Sequence, residues 1–248
     1  MTTPLDLGSR TVLITGGASG IGLALASRFM AAGSRVIVCG RRAAVLRDAA
    51  TAHPGLVTRV CDLAHEGDRA ALAEWVVREY PALDVLVNNA GIQRRVRLTA
   101  PEPWAETRQE LAINLDAPIH LSLALLTHLV ARSGIIINVT SGLSFAPYVA
   151  APVYSATKAA LHSFTMSLRH QLADTGVRVV EIIPPAVNTD LGGIGLHTSG
   201  APLEPFADEV VARLAAGEEE IAYGTAQPRA AAAHAAFDEI FTRMNGKP

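Results

Sequence analysis

The sequence predicts a doubly wound α/β fold of about seven mainly parallel strands with helices on both faces. Three observations predict it. Short apolar runs rich in Val and Ile recur along the chain, the mark of strands buried on both faces. Stretches with helical spacing separate them, and this alternation specifies parallel pairing through right-handed crossovers. The first apolar run passes through a glycine-rich turn straight into a helical stretch, the junction at which such sheets hold ligands.

The elements follow in order. Strands are expected at Thr11–Thr15, 35–39, 57–61, 84–87, Ile135–Val139, 177–183 and 221–223, each bounded by turn residues. Helices are expected at 21–32, Ala43–Ala52, 67–80, 103–132, 152–175, 207–216 and 228–244. The last includes the alanine cluster 230–236, since alanine has the highest helix propensity. One segment breaks the rhythm: Pro184, Pro185, Gly192, Gly193, Gly195, Gly200, Pro202 and Pro205 show no period. It reads as a substrate lid over about 185–206 at the ligand-binding edge, with a disordered surface loop as the alternative. No linker or internal repeat divides the chain, so residues 1–248 are expected to form one domain.

Composition narrows the functional classes. Half of the 248 residues are apolar and 18% are charged, so a full core can form without disulfide or metal staples and disorder is excluded. Lys and Arg number 21 against 23 Asp and Glu, for a net charge of −2, and the only basic clusters are Arg41-Arg42 and Arg94-Arg95-x-Arg97. That balance argues against nucleic-acid binding, which needs clustered cations. Cys39 and Cys61 end apolar runs and read as small core residues in a reducing compartment. Residues 1–10 lack a basic segment followed by an apolar stretch, and no window offers about 18 uninterrupted apolar residues, so the expectation is a soluble cytoplasmic protein with no membrane partner. The histidines show no zinc-like pairing, no metal site is expected, and His162 and His170 read as surface or packing residues.

The turn Thr15-Gly16-Gly17-Ala18-Ser19-Gly20-Ile21-Gly22 lets backbone approach a phosphate while the helix N-terminus offers N–H groups and positive dipole. Its Gly-x3-Gly-x-Gly spacing differs from the usual Gly-x-Gly-x-x-Gly, and a tight strand–helix turn is the alternative. A dinucleotide also requires a ribose contact after the second strand. That place holds Gly40-Arg41-Arg42, where guanidinium groups suit a 2′-phosphate and an acidic residue would suit a free hydroxyl. NADP(H) is thus expected over NAD(H), the alternative being two solvated arginines. Asp62, followed by Leu63, is placed to accept from the adenine amino group or simply to cap a turn.

Tyr154 and Lys158 are four residues apart and share a helix face. A nearby ammonium stabilises phenolate, so the spacing predicts a Tyr154 pKa lowered toward working pH. Together with Thr15–Gly22, Asn88-Asn89-Ala90-Gly91, Asn114 and Ser141, the segment Tyr154-Ser155-Ala156-Thr157-Lys158 resembles the short-chain dehydrogenase/reductase family over about residues 10–190. The resemblance implies a Rossmann-like domain that exchanges hydride between a nicotinamide and a carbonyl or alcohol. Tyr154 would be the general acid/base, Ser141 would hold the carbonyl oxygen, Lys158 would bind the nicotinamide ribose, and Asn114 would hold a water linking Lys158 to solvent. It places the cofactor against Gly16, Ser19, Gly20, Ile21, Gly22, Arg41, Arg42, Asp62, Leu63, Asn89, Ala90, Gly91, Tyr154, Lys158, Val187 and Thr189. The segment Pro184-Pro185-Ala186-Val187-Asn188-Thr189 resembles the family's nicotinamide-side stretch, with proline at the usual glycine.

The substrate wall is expected from Gln93, Leu143, Phe145, Tyr148 and Leu191, with Ile194, Leu196 and His197 of the lid. It is mostly apolar, which suggests a hydrophobic ketone, aldehyde or secondary alcohol. Whether Arg94, Arg95 and Arg97 face substrate or water stays open. The chain end lacks the family's Gly-rich closing segment, so a homodimer is expected rather than a tetramer, with Pro118, Leu121, Leu125, Leu129, Leu161 and Phe164 on its apolar face or packed on the sheet. Two alternatives are a non-catalytic NADP(H)-binding sensor and an imine reductase or dehydratase on the same scaffold.

Overall fold

A computed structural model describes residues 4–99 and 104–245. Seven strands, β1 (Thr11–Thr15), β2 (Arg35–Gly40), β3 (Val57–Val60), β4 (Val85–Asn88), β5 (Ile135–Val139), β6 (Arg178–Ile183) and β7 (Glu220–Ala222), form one sheet in the order β3-β2-β1-β4-β5-β6-β7. Every pairing is parallel. The order reverses between β1 and β4, which opens a crevice at their carboxyl ends.

Strand side chains alternate between two cores. On one face Val12, Ile14, Val36, Val38, Val85 and Val87 pack under Leu25 and Phe29 of α1 (Gly20–Ala31) and Phe206, Val210 and Leu214 of α7 (Leu203–Ala215). On the other, Leu13, Ile37, Leu86 and Ile136 meet α3 (Glu66–Glu79), α5 (Ala117–Ala131) and α6 (Pro152–Gln171). The remaining helices are α2 (Ala43–Ala52), α4 (Trp104–Leu111) and α8 (Gln227–Asn245).

The expected helix at 103–132 divides. Its first residue lies outside the described ones, and a π-helical turn, Ala112–Asp116, separates α4 from α5. Pro118 explains the break: without an N–H it offers nothing to the carbonyl of Asn114 four residues earlier, so the ladder cannot continue in α register. Pro118, Leu121, Leu125 and Leu129 are buried against the sheet, as is Leu161, while Phe164 packs at its margin. These residues therefore belong to the core rather than to a dimer face, each buried leucine contributing about 1.5–3 kcal/mol. The stretch Trp104–Ala131 has the length and hydropathy to cross a membrane, and that apolar content goes into this core.

Helix α7 begins at Leu203 rather than 207, because Pro205 sits in a first turn whose N–H groups have no intrahelical partner anyway. The lid therefore ends at Pro202. Its base is stapled by a parallel bridge between Val187 and Ala201, with Asn188 N and Ala201 N donating across it at 2.8 Å to Ala201 O and Ala186 O. Helix α6 stops at Gln171, short of 175, where the Thr175 hydroxyl closes a turn on Leu172 O.

Candidate active site

Helix α6 starts with Pro152 at its first position, which presets the helical φ, and then carries Tyr154, Lys158 and His162 at steps of four. This spacing lays the three side chains in one row facing β5 and β6. Ser141 follows β5 and caps a short 3-10 turn, Gly142–Ser144, its Oγ accepting from Leu143 N at 3.1 Å and pairing with the Tyr154 phenol. Lys158 Nζ donates to Val139 O at 2.7 Å and lies 5.7 Å from the Tyr154 ring centroid. Below them Asn88 bonds Asn138 (2.8 Å) and Ser122 (3.1 Å), and Asn138 bonds Thr165 (2.9 Å), so β4, β5, α5 and α6 are tied together under the site.

The titration of the pair differs from the expectation. Burial pushes the Tyr154 phenol up to about 12; the Ser141 bond acts downward and the Glu110 charge upward. Burial also brings Lys158 down to about 8, against the pull of Glu181. Desolvation outweighs the ammonium that was expected to lower Tyr154. The phenol of the free protein therefore keeps its proton at neutral pH.

Asn114 lies in the π turn and is fully buried. Its Oδ1 accepts from Ile92 N at 2.9 Å, and its Nδ2 donates to Ile92 O at 2.8 Å and Thr157 Oγ1 at 3.2 Å. Both ends of the side chain are thus engaged by protein groups.

The cofactor residues gather where the sheet order reverses. Gly16 has φ +63°, and a Cβ on Gly22 would sit 2.5 Å from Gly16 O, so glycine is required there for contact. Asn89 Nδ2 bonds Thr15 O at 2.9 Å, and Thr15 Oγ1 takes Asn89 N and Ala90 N at 3.0 and 3.1 Å. Lys158 Nζ and Asn114 Oδ1 both approach Gly91. Ser19 caps α1 without a side-chain bond to it, and the first turn, with Gly20 and Ile21, carries no acidic group. Thr189 stands opposite Gly20. Arg42 Nη2 reaches Ser19 Oγ at 3.2 Å from the start of α2, beside the exposed Arg41. Asp62 Oδ1 caps its own turn through Ala64 N at 3.0 Å, while Leu63 is buried in the core. The Val187 side chain is likewise core, so only its backbone is left for a ligand.

The expected substrate wall separates into three parts. Gln93 Oε1 meets His197 Nε2 at 3.2 Å, a contact between the loop after β4 and the lid, and Leu191 N approaches Thr189 Oγ1. Leu143 and Tyr148 line a groove of about 430 Å³ with Leu98, Val149 and Ala156 on the outer side of α6. Phe145 turns the other way, stacking edge-on against His162 at 4.6 Å. Ile194 and Leu196 are exposed on the lid. Arg94 is engaged by Glu106 O, Gln109 and Glu110, whereas Arg95 and Arg97 are exposed.

Sequence reasoning missed Glu110 and Glu181, both buried in strand or helix interiors where nothing but burial marks a carboxylate as special. His162, read as a packing residue, instead bonds Glu181 at 2.9 Å. Burial lowers its pKa, yet the Glu181 hydrogen bond and charge raise it overall above 6.5. A raised folded value stabilises below 6.5 and that stabilisation is lost as pH rises through it. His162→Gln should accordingly flatten the fall in Tm over this window, read by thermal denaturation across pH; an unchanged slope would remove His162 from the linkage.

A parallel doubly wound sheet with a glycine turn at its crevice and a Ser–Tyr–Lys set beside it defines a nicotinamide-dependent oxidoreductase. The chain belongs to the short-chain dehydrogenase family, whose profile matches residues 10–194. DltE of Bacillus subtilis (strain 168), described as an uncharacterized oxidoreductase, is 42% identical over 248 residues, covering 97% of this chain and 98% of that one. The 2-(R)-hydroxypropyl-CoM dehydrogenase of Xanthobacter autotrophicus is 31% identical, covering 96% and 95%. A short-chain dehydrogenase from Sphingobium yanoikuyae, solved in complex with NADPH, superposes with a TM-score of 0.83 at 25% identity over 94% of this chain and 96% of that one.

Proposed function

We propose that the protein is an NADP(H)-dependent oxidoreductase that interconverts a ketone or aldehyde with an alcohol on a hydrophobic small molecule. The observation that carries this reading is the buried Ser141–Tyr154–Lys158 set with a phenol still protonated at neutral pH. The glycine turn fits a dinucleotide, since Gly16 and Gly20 bring no side chain to it and the Ser19 side chain does not cap the first N–H groups of α1. Gly16, Gly20, Gly22 and Ser19 would hold the pyrophosphate, Asn89, Ala90 and Gly91 the adenosine side, Lys158 the ribose, and Thr189 with the Val187 backbone the carboxamide. When bound, the nicotinamide supplies or accepts a hydride.

The chain's own groups do the rest. Ser141 orients the substrate oxygen, and Tyr154 gives its proton to that oxygen in reduction or takes it back in oxidation. Lys158, charged at neutral pH, favours the transient phenolate. The main-chain carbonyl of Asn114, denied the N–H of Pro118, would accept from a water that relays a proton between Lys158 and solvent. Reduction is the working direction in this reading, because NADPH serves as a reductant. A relative named for a hydroxypropyl group supports alcohol chemistry. We further propose a homodimer and a reducing, cytoplasmic setting, with Cys39 and Cys61 both free and buried.

Arg41 and Arg42 bear the choice of cofactor. The Arg41→Ala variant should weaken NADPH binding by about 1–3 kcal/mol, with little change for NADH, and Arg42→Ala should act likewise. Fluorescence titration with both nucleotides checks this, and equal losses for the two would refute the phosphate contact. The reaction itself is tested by following consumption of NADPH over a panel of hydrophobic ketones, aldehydes and cyclic imines. Turnover of carbonyls supports the reading, and turnover of imines alone replaces it.

A further inference from the structure

The row on α6 continues past the pair just described. Four residues beyond Lys158, His162 Nδ1 donates to both oxygens of Glu181, at 3.0 and 2.9 Å. Glu181 is fully buried on β6, and its Oε1 also accepts from Thr140 Oγ1 at 2.6 Å. Thr140 directly follows Val139, whose carbonyl holds the Lys158 ammonium. A buried carboxylate without a compensating partner is costly, and here two donors satisfy it while its charge acts on Lys158. No substrate or cofactor contact requires an acid at this position, which lies inside the sheet.

We propose that Glu181, bonded to His162 and to the Thr140 that follows the carbonyl holding Lys158, is a positioning residue that sets the charge of the Lys158 ammonium from the strand side. The inference rests on the reading of Lys158 as part of the catalytic set. Among the described residues, Tyr154 on the same helix, with Glu110 beyond it, lies at the Lys158 end, and Glu220 of β7 and Arg169 of α6 act at the His162 end. Phe145 closes the imidazole from the side at 4.6 Å. A protonated His162 cancels much of the Glu181 charge; a neutral imidazole leaves the full charge to Lys158.

The sequence makes this directly measurable, because Lys158 and Lys247 are its only lysines. Protein carrying ¹³Cε-labelled lysine gives two signals, and that of Lys158 is the one moved by NADPH and removed in Lys158→Arg. Its midpoint of titration should fall by about one pH unit in Glu181→Gln and recover in Glu181→Asp. The alkaline limb of the rate profile should move with it. A role confined to packing would shift melting temperature and leave the midpoint in place. A midpoint within about 0.2 units of wild type in Glu181→Gln overturns the proposal, and if that variant does not fold, the same result in the double variant Glu181→Gln/His162→Gln, whose facing amides keep the hydrogen bond, does so. The titration needs no substrate: shifted midpoints without any turnover would count against the oxidoreductase reading only, and turnover with unshifted midpoints against this proposal only.

Discussion

Tyr154→Phe is expected to lower turnover by about a thousandfold while leaving NADPH binding within about threefold of wild type. The phenol holds its proton at neutral pH and lies beside the serine that would hold the substrate oxygen, whereas the Lys158 ammonium is taken up by Val139 O. The change removes one oxygen from a buried side chain and leaves Ser141 its bond from Leu143 N, so folding should lose no more than about 1 kcal/mol. Steady-state rates, nucleotide titration and thermal melts on the same preparation separate these effects. A variant that retains a tenth or more of the rate would move the proton transfer to another group.

The second large effect is expected at Gly22→Ala. The added carbon would lie 2.5 Å from Gly16 O and 2.9 Å from Gly17 Cα, and the amide of Asn89 stands in the same space. The backbone neighbours belong to the turn that would receive the pyrophosphate, so they cannot withdraw without opening it. Destabilisation of about 1–3 kcal/mol should accompany a loss of dinucleotide affinity. Gly67→Ala serves as the contrast: it lies in the first turn of α3 with nothing within 4 Å of the new carbon, and it should match wild type or exceed it slightly. Denaturant titration and NADPH fluorescence decide the comparison, and a Gly22→Ala protein that binds as wild type does would show that the turn is not the phosphate cradle.

The alternation of Val-rich runs with helical stretches was enough to place all seven strands: the central ones are buried on both faces with few polar positions to blur their limits, while the exposed edge strand β3 is marked only by its β-branched residues. What local pattern could not show is how proline acts in context. Pro118 reads as compatible with one long helix yet introduces the π turn that presents Asn114, and Pro205 reads as loop yet starts α7. Tyr154, Lys158, Ser141 and Asn114 were legible from spacing and resemblance and do converge. Their protonation was not legible, since it depends on how much water the fold removes, and on Glu110 and Glu181, which approach from α4 and β6. The direction in which Phe145, Leu143 and Tyr148 point was equally hidden: three neighbours in sequence after Ser141 diverge to opposite sides of α6.

The staple between Val187 and Ala201 makes the segment between them a module. Its ends meet through main-chain bonds that depend on no particular side chain, so the intervening dozen or so residues can be lengthened, shortened or exchanged at small entropic expense. Among the described residues, the Gln93–His197 contact and the approach of Gly192 to Gln93 O tie the tip to the loop after β4. Residues 190–199 are thus a place where evolution, or a library of loop variants, can change what the enzyme accepts while Tyr154 and Lys158, held by α6 and β5, stay where they are.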